Sequence, residues 1–141
     1  MRKPESGSFP EAGVETNRDY LFVYGTLRRA FNHPMHQLLR SHADFIGIGS
    51  FQGKLYDLGN FPGAVASKKP SDKVKGEIYA LRDAERIFRA LDEYEGAAFH
   101  REKVAVRNEE GKKIRSWIYL YNRPVSQQRI IVSGDFVNHR G

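Results

Sequence analysis

Residues 20–28, Tyr20-Leu21-Phe22-Val23-Tyr24-Gly25-Thr26-Leu27-Arg28, read as a short strand that is apolar throughout and breaks at a glycine. A run without polar alternation is the pattern of a central strand buried on both faces, so the sheet that holds it needs cover on both sides. Where the strand breaks at Gly25, consecutive backbone N–H groups come free. Such donors hold an anion or a polarised carbonyl.

The cover comes from one strong helix. Ala84, Ile87, Phe88 and Leu91 stand at the i, i+3, i+4, i+7 spacing of a single buried face, and Gly96 is a natural stop, which predicts a helix over residues 83–95. At about 100° per residue, Glu95 falls on the face of Leu91 and Phe88, Glu93 falls opposite, and Asp92 lies at the margin. A carboxylate on an apolar face at the C-terminal end of a helix is desolvated and meets the negative end of the macrodipole. Both effects raise its pKa, which suits Glu95 to general base work. Two plainer readings stand beside this one: a salt bridge from Glu95 to Arg101 or Lys103, or a helix that frays before Glu95 and leaves it in water.

Outward from these two elements, Pro34 opens a short helix over residues 35–40. Glycines at 47, 49, 53, 59, 63 and 76 punctuate short strand segments, among them 54–58, 64–67 and 74–80, with loops at 59–63 and 68–72. Residues 102–107 and 112–121 flank Asn108-Glu109-Glu110-Gly111 as a hairpin. The tail from Pro124 reads as mostly irregular, and residues 1–18 as a disordered or irregular leader. The order predicts an α+β fold in a single domain over residues 19–141, with a mixed, mostly antiparallel sheet curling around a core and one main helix packed against it.

At 141 residues the chain suits one domain. It has no cysteine, which removes disulfides, thiolate metal sites and a cysteine nucleophile. No apolar run approaches the roughly 18 residues that span a bilayer, and no signal-peptide segment is legible, so no membrane role and a cytoplasmic location are expected. The net charge of +6 is scattered rather than interleaved with exposed aromatics, and reads as a solvated surface without a nucleic-acid partner.

Other chemistries find little support. His33 and His36 share i, i+3 spacing, but Pro34 lies between them and no third ligand follows, so no metal site is expected. Ser41, Ser50, Ser67 and Ser116 lack a nucleophile-elbow context, and neither a phosphate loop nor a dinucleotide glycine pattern occurs. Tyr119 and Tyr121 share a strand face, from which either hydroxyl can meet a ligand, although strand tyrosines usually only pack.

In order along the chain, residues 22–29 (Phe-Val-Tyr-Gly-Thr-Leu-Arg-Arg), Asn32-His33, Gly59-Asn60-Phe61-Pro62-Gly63-Ala64-Val65, Val74-Lys75-Gly76-Glu77-Ile78-Tyr79, Leu91-Asp92-Glu93-Tyr94-Glu95-Gly96 and Trp117-Ile118-Tyr119-Leu120-Tyr121 resemble the gamma-glutamylcyclotransferase-like (AIG2-like) superfamily. The likeness spans about residues 19–125 and looks nearest to the gamma-glutamylamine branch. It implies a small barrel-like fold in which Tyr24, Gly25, Thr26 and Leu27 line a substrate cavity and Glu95 is acid and base. The implied reaction cyclises a small gamma-glutamyl amine or peptide to 5-oxoproline with release of a free amine, without metal or organic cofactor. On that reading N–H groups of Gly25, Thr26 and Leu27 meet negative charge, and Tyr121, ahead of Tyr119, closes the pocket. A second functional class is a non-catalytic module that binds a small ligand or partner on the same fold.

Overall fold

The computed structural model of the chain describes residues 18–140. The leader expected over residues 1–18 therefore lies outside the described residues, apart from Arg18. The elements are β1 (Tyr20–Val23), α1 (Pro34–His42), β2 (Ala43–Asp57), β3 (Pro62–Ala66), β4 (Lys73–Leu81), α2 (Ala84–Glu95), β5 (Phe99–Asn108), β6 (Lys113–Tyr121), β7 (Arg129–Ile130) and α3 (Phe136–Arg140). Strands run in the order β3-β2-β4-β1-β6-β5, and a further pairing of β2 with β5 closes five of them into a barrel. Among the described residues only β1 and β6 pair in parallel, and every other pairing is antiparallel. The α+β class and the barrel-like sheet expected from the sequence are what the chain adopts.

The apolar run of β1 has the two-sided burial its composition demands. Tyr20, Phe22 and Tyr24 join Phe51, Ile78, Val106 and Ile118 in the cluster contributed by all five barrel strands. The alternate residues Leu21 and Val23 join a second cluster with Leu39 of α1 and Ile87 and Leu91 of α2. The helices thus cover the outside of the barrel exactly where β1 would otherwise expose apolar side chains, and side-chain alternation along one strand serves both layers. Capping is local: Asp83 accepts from the Arg86 amide at 3.4 Å to start α2, and α2 ends at Gly96, whose φ of 78° suits a residue without Cβ.

Three features depart from the sequence reading. The glycine-rich region is not a series of short segments up to residue 58: β2 is one strand of 15 residues, with a register shift between Phe45 and Gly47. Its glycines serve close packing as much as turning, since a Cβ at Gly49 would stand 2.7 Å from Ile78 Cδ1 and 2.9 Å from the Arg107 carbonyl oxygen. A strand that bends around a barrel and pairs on both edges needs such gaps.

The tail from Pro124 is also more ordered than expected. β7 pairs with β2, the Ile131 amide donates to the Leu55 carbonyl at 2.7 Å, and Ile131 and Phe136 belong to the barrel's own core cluster. Isolated anchors of this kind leave no periodicity to detect. Arg18, assigned to the leader by the sequence reading, instead donates to the carbonyl oxygens of Ala80 (2.8 Å) and Leu81 (3.3 Å) at the end of β4. Among the described residues no helix is long and apolar enough to cross a membrane.

Candidate active site

The end of β1 and its following loop form one wall of a cavity of about 450 Å³; His33, the loop before β3 with Pro62, the last turn of α2, and Phe99 and Tyr119 of β5 and β6 form the rest. That volume suits a small metabolite. Two hydrogen bonds hold the loop in place. A turn closes with the Arg28 amide donating to the Gly25 carbonyl at 3.0 Å, and the ring of buried His36 donates from Nδ1 to the Leu27 carbonyl at 2.8 Å, which ties up the loop's carbonyls. The N–H groups of Gly25, Thr26 and Leu27 have no acceptor among the described residues. Gly25 is required by Pro62, because a Cβ there would sit 2.9 Å from the proline Cγ and Cδ.

Charge anchors the loop from behind. Arg28, itself buried, pairs with Glu77 of β4 at 3.4 Å and with Asp135 at 2.8 Å, and the Arg29 amide and the Tyr79 hydroxyl donate to Glu77 at 3.1 and 3.0 Å. Buried charges in such an arrangement are compensated by several hydrogen bonds each, which makes the network a geometric lock. Asp135 also accepts from the Val137 amide at 3.1 Å, so the same carboxylate starts α3 and joins the tail to the loop.

Glu95 lies at the last turn of α2 and lines the cavity, half-buried, while Glu93 is exposed on the opposite face. Both plain alternatives for Glu95 fail. The helix runs through residue 95, and Arg101 goes elsewhere: it grips Asp92 with two hydrogen bonds of 2.9 and 3.0 Å while stacking over Phe88 and Trp117. Lys103 approaches Asp19 at 4.0 Å. Glu95 has no hydrogen-bond or ion-pair partner among the described residues, and burial pushes its pKa up to about 7. Its neighbour Asp92 shows the opposite: the hydrogen bond from Arg101 holds it below the usual carboxylate range, despite some desolvation. Two carboxylates on one helix, three residues apart, are thereby separated into a fixed anion and a proton-exchanging group.

The tyrosines divide between the cavity and its surroundings. Tyr24 lines the cavity, but its hydroxyl donates to the Tyr119 carbonyl at 2.6 Å and accepts from the Ala64 amide at 3.1 Å. Burial, reinforced by the charge of Glu95, holds that phenol far above its ordinary pKa, so it is a wall and a tie rather than an acid. Tyr119, not Tyr121, is the β6 tyrosine at the cavity. Its hydroxyl turns away to donate to Asp92 at 2.6 Å. Tyr121 lies one side chain further along that face, its ring 5.4 Å from that of Phe99, and is not among the cavity-lining residues.

Sequence reasoning gave no site role to His33, Asn60, Phe61 or Tyr94, all of which reach the cavity. A signal existed for two of them: His33 stands before Pro34 at a helix start, and Tyr94 immediately precedes Glu95. His33 and His36 make separate contacts within the fold. His33 Nδ1 caps α1 by accepting from the Met35 amide at 3.0 Å, and His36 binds Leu27. Unpaired backbone donors and a carboxylate titrating near neutrality, facing one cavity, can stabilise an oxyanion and move a proton.

A family model described as gamma-glutamyl cyclotransferase, AIG2-like, matches residues 21–138. A Methanocaldococcus jannaschii protein provisionally named a gamma-glutamylcyclotransferase is 31% identical over 125 residues, which are 87% of this chain and 99% of that one. Among solved structures, an AIG2-like protein from Mus musculus is 28% identical with a TM-score of 0.63, over 78% of this chain and 81% of that chain. YkqA from Bacillus subtilis is 28% identical with a TM-score of 0.70; the likeness covers 87% of this chain but 41% of that longer protein.

Proposed function

Because this chain belongs to the gamma-glutamyl cyclotransferase, AIG2-like family, we propose that it cyclises a small gamma-glutamyl amine to 5-oxoproline, with Glu95 as acid and base. The observation that carries this reading is Glu95 itself. It is a carboxylate without a partner among the described residues, with a pKa of about 7, on the same cavity as three unpaired backbone N–H groups.

The substrate's α-ammonium gives a proton to Glu95, and the freed amine attacks the γ-amide carbon. A C–N bond forms within a five-membered ring and charge develops on the γ-carbonyl oxygen. N–H groups of Gly25, Thr26 and Leu27 are placed to receive that charge or the substrate's α-carboxylate. Glu95 returns that proton to the leaving nitrogen as collapse breaks the original amide C–N bond, and the ring nitrogen then sheds its second proton through Glu95 to the released amine, so the carboxylate ends as it began. The ring closes intramolecularly, which leaves the protein to hold a folded conformer and relay protons from the attacking to the leaving nitrogen.

Release of 5-oxoproline from a panel of gamma-glutamyl amines, gamma-glutamyl amino acids, gamma-glutamyl-ε-lysine and glutathione tests the proposal, with Glu95→Gln alongside. Turnover that disappears in the variant supports it. A folded wild-type protein silent across the panel, or an active Glu95→Gln, overturns it, and ligand binding without turnover would then favour the non-catalytic module.

A further inference from the structure

Three side chains at the cavity rim, from three separate segments, form a continuous hydrogen-bonded chain. His33 Nε2 lies 3.3 Å from the Tyr94 hydroxyl, and that hydroxyl lies 3.3 Å from Thr26 Oγ1. Its direction follows from a contact at the far end. The Met35 amide donates to His33 Nδ1 at 3.0 Å, so Nδ1 is an acceptor and the neutral ring carries its proton on Nε2. Nε2–H then donates to the Tyr94 oxygen, and the single Tyr94 proton goes onward to Thr26 Oγ1. Thr26 is left with its own O–H uncommitted among the described residues, at the cavity wall beside the free N–H groups of its loop.

We propose that His33 and Tyr94 are positioning residues that turn the Thr26 hydroxyl into an obligate donor to an anionic oxygen of the substrate. The proposal rests on the cyclotransferase reading for the identity of that substrate, and not for the chain itself. Without the chain, Thr26 can spend its proton on Tyr94 and present a lone pair to the cavity, which repels the substrate's carboxylate. The arrangement adds a neutral donor where the cavity lining has no lysine or arginine among the described residues. It also couples the helix bearing Glu95 to the donor loop, because Tyr94 is the residue before the base and its ring packs 5.3 Å from that of His33.

The test combines the His33 tautomer with binding and turnover. Nitrogen-15 NMR of the imidazole is expected to show Nδ1 unprotonated and Nε2 protonated in the full-length protein. Tyr94→Phe, which keeps the ring packing, and Thr26→Val are each expected to weaken 5-oxoproline binding and raise KM by about tenfold with little change in kcat, as loss of a hydrogen bond to a charged group does. The double variant should be no worse than either single one. Thr26→Ser should restore binding, and His33→Asn, which can still cap α1, should match Tyr94→Phe.

A ring protonated on Nδ1, or 5-oxoproline binding indifferent to Tyr94→Phe and Thr26→Val, overturns the positioning role whatever the turnover. Wild-type protein that binds 5-oxoproline in a Tyr94-dependent manner but releases none from any gamma-glutamyl compound supports the positioning role and sinks the cyclotransferase reading alone. A wild-type protein that does not bind 5-oxoproline at all overturns both.

Discussion

The Tyr24 hydroxyl donates to the carbonyl oxygen of Tyr119 at 2.6 Å while accepting from the Ala64 amide, so one phenol ties β1 to β6 and to β3 behind the cavity. Loop 24–28 therefore leaves a strand that is braced on its side-chain side as well as along its backbone. Tyr24→Phe preserves the ring and leaves a buried N–H and a buried carbonyl short of a partner. We expect a loss of roughly 1–3 kcal/mol in stability, read from denaturant unfolding, while the pH dependence of activity keeps its acid limb. A collapse of kcat in a folded Tyr24→Phe whose acid limb is unchanged would mean that Tyr24 takes part in proton transfer after all.

The raised pKa of Glu95 makes two pH predictions with one origin. Its carboxylate form is the base, so kcat/KM should fall as pH drops through about 7. Stability should run the other way. The folded state holds the Glu95 proton up to about pH 7 and the unfolded chain releases it near 4.5, so burial costs stability as pH rises between those values. Glu95→Gln removes the charge and should be more stable than wild type at pH 8, by on the order of 2 kcal/mol, with the difference gone at pH 4. Parallel melts at the two pH values check this, and a constant difference between them would contradict it.

Gly25→Ala should damage the loop through one contact. Its Cβ meets the Pro62 ring at 2.9 Å, so the donors must move or the proline must yield. A drop in kcat/KM of about tenfold or more is expected, with a stability cost of about 1–3 kcal/mol. Pro62→Ala in the same chain relieves the contact and should recover much of the activity; no recovery would place the damage elsewhere.

Arg28→Met takes the ion-pair partner from buried Asp135 and leaves buried Glu77 with only the more distant Arg29 guanidinium at 3.8 Å. We expect destabilisation of about 3–5 kcal/mol. Because Asp135 also starts α3, limited proteolysis should cut near residues 125–135 sooner than in wild type. An unchanged cleavage rate would show that β7 and Phe136 hold the tail without the ion pair.

The cavity lining includes no lysine or arginine among the described residues. A leaving amine that carries its own carboxylate thus finds no cation to accompany it, and neutral or cationic leaving amines should turn over faster than glutathione. A ratio of kcat/KM of about tenfold corresponds to one charge-assisted hydrogen bond left unmade. Glutathione as the preferred substrate would contradict this.

Part of the site was legible from residue order because its determinants are local. The spacing of Ala84, Ile87, Phe88 and Leu91 sets where Glu95 points, since the angular step of a helix is a property of the backbone. The unbroken apolar run of β1 likewise required cover on both sides, and the glycine at its end marked a loop with free donors. The tail showed nothing comparable, because Ile131, Asp135 and Phe136 hold it through contacts with residues far away in sequence.

The sequence by itself determined the central strand, the helix with its inward carboxylate, and the loop between β1 and α1, all from contacts within a few turns of chain. Only the tertiary structure decided that Arg101 takes Asp92 and leaves Glu95 unpaired, that Tyr119 rather than Tyr121 meets the cavity, and that β2 closes the barrel on β5. His33 and Thr26 likewise meet Tyr94 across 61 and 68 residues of sequence. Each of those outcomes depends on how strands cross and on which neighbour a side chain reaches first. That choice is settled by packing between distant segments and leaves no mark in residue spacing.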